Sequence, residues 1–278
     1  MINFDGHCYS NFNDVPQGLL SRLTQLPVHT QHLLSFKGKI SLLEAQYFSI
    51  MAALRRSRVD IPMHYSLTYF QEQAVALQKY TQDLYDFQGI SIKFYRKEKP
   101  SLDTIITPIC FVLQFQNVSW NTVETKNLTL YKDHYIGAAA YSNLFQTNAA
   151  LRNLSQVFAY ENGYGAALLL NHHKRLADSS NGAVFLANKE NIQTPALPEG
   201  AQNTVIRKCL IDFIAKESKL EIIEDEIPTF SVQQAHEIFL LSEEYGWTQI
   251  EQFRKKKFDS AVSEPLRLKF IDQLVNQL

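Results

Sequence analysis

Residues 161–188, ENGYGAALLLNHHKRLADSSNGAVFLAN, limit the fold more than any other stretch. The apolar run 165–170 has strand length and no polar alternation, so it reads as a core strand. Residues 171–174 form a polar turn, after which 176–178 resumes extended structure. Residues 183–188 and 192–194 read as a strand pair around the polar turn 188–191. A chain with such closely spaced strand-length runs must build a sheet, and the sheet must be covered by helices found elsewhere.

The rest of the chain supplies them. Residues 1–4 read as a short strand that ends in the Asp5-Gly6 turn, and 28–36 as another. Apolar positions 43, 47, 50, 51 and 54 predict a helix over 40–56. Leu67, Phe70, Ala74, Leu77 and Tyr80 predict a second over 65–87. Residues 91–96 and 104–116 are rich in β-branched and aromatic types and read as strands. The polar stretch 117–127 connects to a second unit, in which 135–160 is alanine-rich and reads as mostly helical. Asn203 is a candidate N-cap for a helix over 204–219, with Val205, Cys209, Phe213 and Ile214 as its buried stripe. Strands follow at 221–226 and 237–241, with a turn or short helix at 230–235 between them. An amphipathic helix over 263–278 closes the chain. The class is α+β, with a small domain over 1–118 and a larger one over 119–278.

Charge narrows the partners. Lys plus Arg is 27, Asp plus Glu is 28 and the formal net charge is -1, so no general nucleic-acid surface is expected. The run RKKK at 254–257 reads as a solvated connection. Cys8, Cys110 and Cys209 are far apart and lack zinc spacing, and His172 and His173 do not form a metal motif with Asp178. No disulfide framework and no metal are expected. The apolar runs 104–115 and 164–170 fall well short of the ~20 residues of a spanning helix. The start, MINFDGHCYS, has no basic segment leading into an apolar run. The expectation is a cytoplasmic protein that binds no membrane.

Five stretches, in order, carry a likeness to a known family. They are NFDG at 3–6, YKDHYIGAAAY at 131–141, the 161–188 stretch above, TPALPEGAQNTVIRKCLIDFIAKES at 194–218 and AHEIFLLSEEYGWTQI at 235–250. Together they resemble the class IV aminotransferases, the fold type IV enzymes that use pyridoxal 5'-phosphate (PLP). The resemblance implies a small α/β domain plus a larger pseudo-barrel domain of strands and helices, a PLP cofactor, a small amino-compound substrate and a homodimer. Within the family it implies a lyase acting on aminodeoxychorismate to release pyruvate and 4-aminobenzoate. The alternatives are a branched-chain aminotransferase, or a non-catalytic relative that has lost the cofactor and binds a small anion or a protein.

The same resemblance assigns roles to residues. Lys132 would be the Schiff-base lysine and proton carrier, which needs an amine whose pKa is lowered by burial or by neighbouring cations. As a bare residue it reads as an exposed lysine in a loop, the usual place of lysines. Tyr135 would hydrogen-bond the phenolic oxygen of the cofactor. Asp178 would pair with the pyridine nitrogen and keep it protonated; the ordinary alternative is a turn aspartate accepting backbone hydrogen bonds. Ser180 and Asn181 would offer polar groups to the cofactor or substrate. Thr204, Val205 and Ile206 would hold the phosphate at a helix start, and Ser242 would add a hydrogen bond. Glu243 and Glu244 beside that phosphate would repel it unless they point away or pair with a cation. No arginine stands where the family carries one to the phosphate. Arg55, with Arg56 and Arg58 beside it, is the substitute, against the plain reading of a solvated helix end.

Overall fold

Alternate positions of the first sheet bury their side chains against two helices, and this pattern organises the smaller unit. The computed structural model describes residues 1–36, 39–78, 87–116, 124–139 and 145–276. It divides into two compact units, Met1–Val118 with Leu274–Leu278, and Ser119–Gln273. In the first unit the strands are β1 (Ile2–Phe4), β2 (His7–Tyr9), β3 (His29–Phe36), β4 (Lys39–Ile40), β5 (Phe87–Arg96) and β6 (Ile109–Gln116). The helices are the short α1 (Gln17–Leu20), α2 (Leu43–Arg56) and α3 (Leu67–Gln78). The sheet order is β2-β1-β6-β5-β3-β4 and every pairing is antiparallel. Leu33, Ile90, Ile92, Phe94, Phe111 and Leu113 of the strands meet Ile50, Leu54, Phe70, Ala74 and Leu77 of α2 and α3. The helix expected over 65–87 is described only to Gln78, and Phe87 already begins β5.

The second unit holds β7 (Glu124–Ile136), α4 (Ala149–Glu161), β8 (Ala166–Asn171), β9 (Arg175–Ser179), β10 (Ala183–Ala187), β11 (Asn191–Pro195) and α5 (Val205–Glu217). It continues with β12 (Glu221–Asp225), β13 (Ile227–Pro228), α6 (Ser231–Gln234), β14 (Glu237–Ser242), β15 (Gly246–Phe253), β16 (Lys256–Lys257) and α7 (Ser263–Asn276). One sheet runs β12-β11-β10-β14-β15-β7-β8-β9-β13, with β16 beside β15. A bridge from Ser179 to Gly182 turns β9 back toward β10 and curls the sheet toward closure. One core joins Leu168, Leu170, Leu176, Val184, Leu186, Ile238 and Leu240. Another sets Tyr131, Ala167, Leu169 and Ala177 against Ala159 of α4. Phe185, Phe239 and Trp247 stack in sequence, with ring centroids 5.0 and 4.2 Å apart.

Two expectations change here. Residues 124–136 are extended and the helix begins only at Ala149, so most of the described part of 135–148 is not α-helical. The long strand β15 falls in a stretch that the sequence reading left unassigned. Residues 117–123, within the expected connection 117–127, and 140–144, within the expected helix 135–160, lie outside the described residues.

Three features fix the segments that surround the site. Tyr131 pairs with Leu169 and Ile136 with Asn171, so residues 132–135 of β7 bulge outward opposite Leu170 alone. Asn171 closes the β8–β9 turn by accepting from the backbone N–H groups of His173 (3.0 Å) and Arg175 (3.1 Å), and it donates to Glu199 at 2.7 Å. Gly182, at φ 139°, lets the next turn press on β14. A Cβ there would lie 2.5 Å from the carbonyl oxygen of Leu241, which is backbone and cannot yield. Among the described residues no helix is long and apolar enough to cross a membrane, and no group of three or more His, Cys, Asp and Glu could hold a metal.

Gly182→Ala adds a strained backbone conformation to that collision. It should destabilise the protein by roughly 3 kcal/mol or more, read as a lower midpoint in urea at unchanged slope.

Candidate functional site

Asp178 is fully buried on β9, where it faces the same side as Leu169, its partner on β8. An ionised carboxylate so placed needs a counter-charge. Arg152 supplies it from α4. Its Nε donates to Asp178 Oδ2 at 2.7 Å, and its terminal nitrogen lies 2.7 Å from the same oxygen. Arg152 is itself 5% exposed. Gln202, in the loop before α5, donates to that oxygen too, at 3.0 Å. Burial pushes the Asp178 carboxyl up, while the Arg152 charge and the hydrogen bonds from Gln202, Arg152 and the Ser179 backbone pull it down; burial prevails. The other oxygen, Oδ1, is buried and has no hydrogen-bond partner among the described residues.

The same helix is fastened a turn later. Gln156 donates to the Tyr245 hydroxyl at 3.1 Å, in the turn between β14 and β15. The inner face of α4 is therefore Arg152, Ser155 and Ala159, all buried. Leu154, Val157 and Tyr160 are left exposed at 53%, 48% and 84%.

The start of α5 is also engaged. Thr204, not Asn203, is the N-cap, and its Oγ1 accepts from the Arg207 N–H at 3.2 Å. The Ile206 N–H donates to Glu243 Oε1 at 3.0 Å. Glu243 is 4% exposed, so its carboxylate is seated against the helix start rather than turned to solvent. Ser242 Oγ accepts from the Tyr245 N–H at 2.9 Å and closes the β14–β15 turn.

The remaining residues assigned from sequence fall as follows. Lys132, expected in a pocket, is exposed on the outward bulge of β7, and so is Tyr135 at 43%. Ser180 Oγ accepts from the Ala167 N–H at 3.0 Å and donates to Asn181 Oδ1, and the Asn181 N–H donates to Ser179 Oγ at 3.3 Å. Both residues are buried and face the turn they hold. Arg55 is exposed in the last turn of α2, where its charge suits the helix dipole. The structure thus gathers Asp178, Ser180, Asn181, Ile206 and Ser242 around adjacent turns of one unit, and leaves Lys132 and Tyr135 outside. Sequence reasoning missed Arg152, Gln202 and Gln156.

PLP asks for a buried amine, an acid free to meet the ring nitrogen and a helix start free to meet the phosphate. Here the assigned amine faces solvent, the acid meets a guanidinium and the helix start meets a carboxylate. The residues present do not fit the cofactor in this arrangement.

Comparison with known proteins gives the lineage. The family model described as amino-transferase class IV matches residues 95–253, more than half of the chain. No curated protein matches. Among solved structures, a branched-chain amino acid aminotransferase from Thermobaculum terrenum (M3 mutant) superposes with a TM-score of 0.85 at 15% identity, covering 100% of this chain and 94% of that one. An aminotransferase from Brucella abortus, bound to the co-factor PLP, gives 0.81 at 14% identity, covering 99% and 98%. A protein described as a 4-amino-4-deoxychorismate lyase, from Legionella pneumophila, gives 0.75 at 18% identity, covering 90% and 91%. These likenesses establish the fold expected from sequence, mixed helices and strands with a nearly closed pseudo-barrel sheet.

Arg152→Met strands a buried carboxylate and should cost about 3–5 kcal/mol, whereas Arg152→Met combined with Asp178→Leu should recover much of that loss; urea melts of the three proteins measure it. Burial first, then Asp212 and Glu243, push the Cys209 thiol up to about 11. At pH 8 Cys209 should react with iodoacetamide roughly a hundredfold more slowly than a free thiol of pKa ~8.5, and about tenfold faster per pH unit above that. Peptide-resolved mass spectrometry reads the rate.

Proposed function

Because the chain belongs to the class IV aminotransferase family, and its buried acid is already matched by an internal cation, we propose that it is a non-catalytic member of that family. Its role is binding rather than PLP chemistry. The observation that carries this is the Arg152–Asp178 pair. An acid that keeps a bound ring protonated must present its charge to the ring, and this charge is spent on a guanidinium inside the protein. The Glu243 carboxylate at the α5 start supports the same reading, since a phosphate and a carboxylate compete for the same N–H. The exposed Leu154, Val157 and Tyr160 on α4 suit contact with a protein better than they suit catalysis.

One observation favours a second reading. Asp178 Oδ1 is a buried acceptor with no partner among the described residues, so it could still take an N–H. On that reading the protein is a PLP-dependent lyase or transaminase. Its substrate would be aminodeoxychorismate, as for the protein the Legionella chain is described as, or a branched-chain amino acid, as for the Thermobaculum enzyme. It requires Arg152 to leave Asp178 and Glu243 to leave Ile206.

Purified protein mixed with PLP should stay colourless after desalting. Neither aminodeoxychorismate nor leucine with 2-oxoglutarate should be turned over. A yellow protein bleached by borohydride, with the colour lost in Lys132→Ala, would overturn the non-catalytic reading and leave the two product assays to decide the reaction.

A further inference from the structure

An asparagine followed by glycine is the step at which a chain most readily modifies itself, because glycine gives the attacking backbone nitrogen no steric shield. This chain has two, Asn162-Gly163 and Asn181-Gly182, and the fold sets them in opposite surroundings. Asn181 is 2% exposed, takes the Ser180 hydroxyl on Oδ1 and gives its N–H to Ser179 Oγ at 3.3 Å. Ser179 bridges to Gly182 across the turn, and Gly182 is pressed on the Leu241 backbone. Neither residue of that turn can rotate without breaking the packing around it.

Asn162 and Gly163 are both exposed, at the outer end of α4. Asn162 is the C-cap, and Gly163, at φ 74°, takes the left-handed conformation after it. The Gly163 N–H donates to the Tyr160 carbonyl at 3.1 Å and the Tyr164 N–H to the Ala159 carbonyl at 2.8 Å, the two bonds of a Schellman end. Asn162 Nδ2 donates to the Phe158 carbonyl at 2.8 Å. A Cβ on Gly163 would meet nothing within 4 Å among the described residues, so the turn has room to open. These are the last bonds of an exposed helix end, where opening costs little, and each opening frees the Gly163 nitrogen beside the Asn162 side chain.

We propose that Asn162-Gly163 is a self-modification site, converting to aspartate and isoaspartate with water as its only co-reactant, while the fold keeps Asn181-Gly182 inert. In the open turn the Gly163 nitrogen bonds to Asn162 Cγ and the Cγ–Nδ2 bond breaks. Nδ2 leaves as ammonia, carrying the proton that the Gly163 nitrogen gives up. Water then opens the five-membered imide at either carbonyl, to aspartate or to isoaspartate, and nothing is oxidised or reduced. Either product adds one negative charge to the formal net charge of -1. A carboxylate cannot donate to Phe158, and it stands at the negative end of α4. Isoaspartate also lengthens the backbone by one carbon, so the Schellman bonds lose their register. The helix that exposes Val157 and Tyr160 thus acquires a charge at that end as the protein ages. The site does not depend on whether the protein binds PLP.

The test holds the full-length protein at pH 8.5 and 37 °C for several weeks, beside a sample in 8 M urea, with pepsin digestion at acid pH and peptide-resolved mass spectrometry. In urea the two sites should react at similar rates. In the folded protein Asn162 should gain one mass unit at no less than about a tenth of its urea rate, and Asn181 should be at least about tenfold slower than Asn162. Asn162→Gln keeps an amide but needs a larger ring, and should show no gain at that position. Fresh Asn162→Asp should melt about 2 °C below fresh wild type. Aged wild type should fall to that value or lower, while aged Asn162→Gln holds its own. The proposal is overturned if Asn162 is as inert as Asn181 in the folded protein, or if Asn181 reacts there as fast as Asn162. The consequence for α4 is overturned if fully converted wild type melts where the fresh protein does.

Discussion

A guanidinium and a carboxylate removed from water together must satisfy each other or not be there at all. Arg152 and Asp178 are such a pair, and much else in the second unit follows from it. The pair holds α4 against β7, β8 and β9. It draws Gln202 inward and so fixes the loop that leads into α5. With Gln156 fastened to Tyr245, it also decides which face of α4 is inside, and it leaves Leu154, Val157 and Tyr160 outside. The core of α4 is thin, resting on Ala159, Ser155 and the half-buried Leu151 and Phe158, so the polar pair does much of the positioning.

The fold is the family's, and the polar groups near Asp178 and the α5 start are engaged with one another. Its sheet order, its curled second unit and its match to solved aminotransferases are those of the family. At the places where the family resemblance assigns contacts to PLP, this chain has put its own side chains. The substitutions agree in sign: a cation faces the acid and an anion faces the helix start. Fold and activity are separate properties, so the fold alone does not decide what this site does.

The sequence made the scaffold legible because strand-length apolar runs and turn residues leave few alternatives. The run at 165–170 became β8 within a residue, whereas the acid at 178 was singled out only by the family resemblance of the stretch around it. Glu243 and Glu244 were recognisable as hostile to a phosphate, though not that Glu243 would accept from the Ile206 N–H. Arg152 was not legible. It lies on a helix whose exposed face carries Leu154, Val157 and Tyr160, so apolar periodicity points to the wrong side and makes the arginine look like a surface residue. Lys132 was assigned from the family resemblance alone, and its exposure on the bulge was not legible in the sequence. Only the pairing of Tyr131 with Leu169 and of Ile136 with Asn171 reveals that 132–135 bulge from the sheet. Register between strands distant in sequence cannot be read from one strand.

The most direct test of the account is a crystal structure of the wild-type protein grown in saturating PLP. The account predicts the Arg152 Nε still donating to Asp178 Oδ2, the Glu243 carboxylate still on the Ile206 N–H, and no ring between them. A pyridine ring seated on Asp178 with its phosphate at the α5 start, and Arg152 swung out, would contradict it.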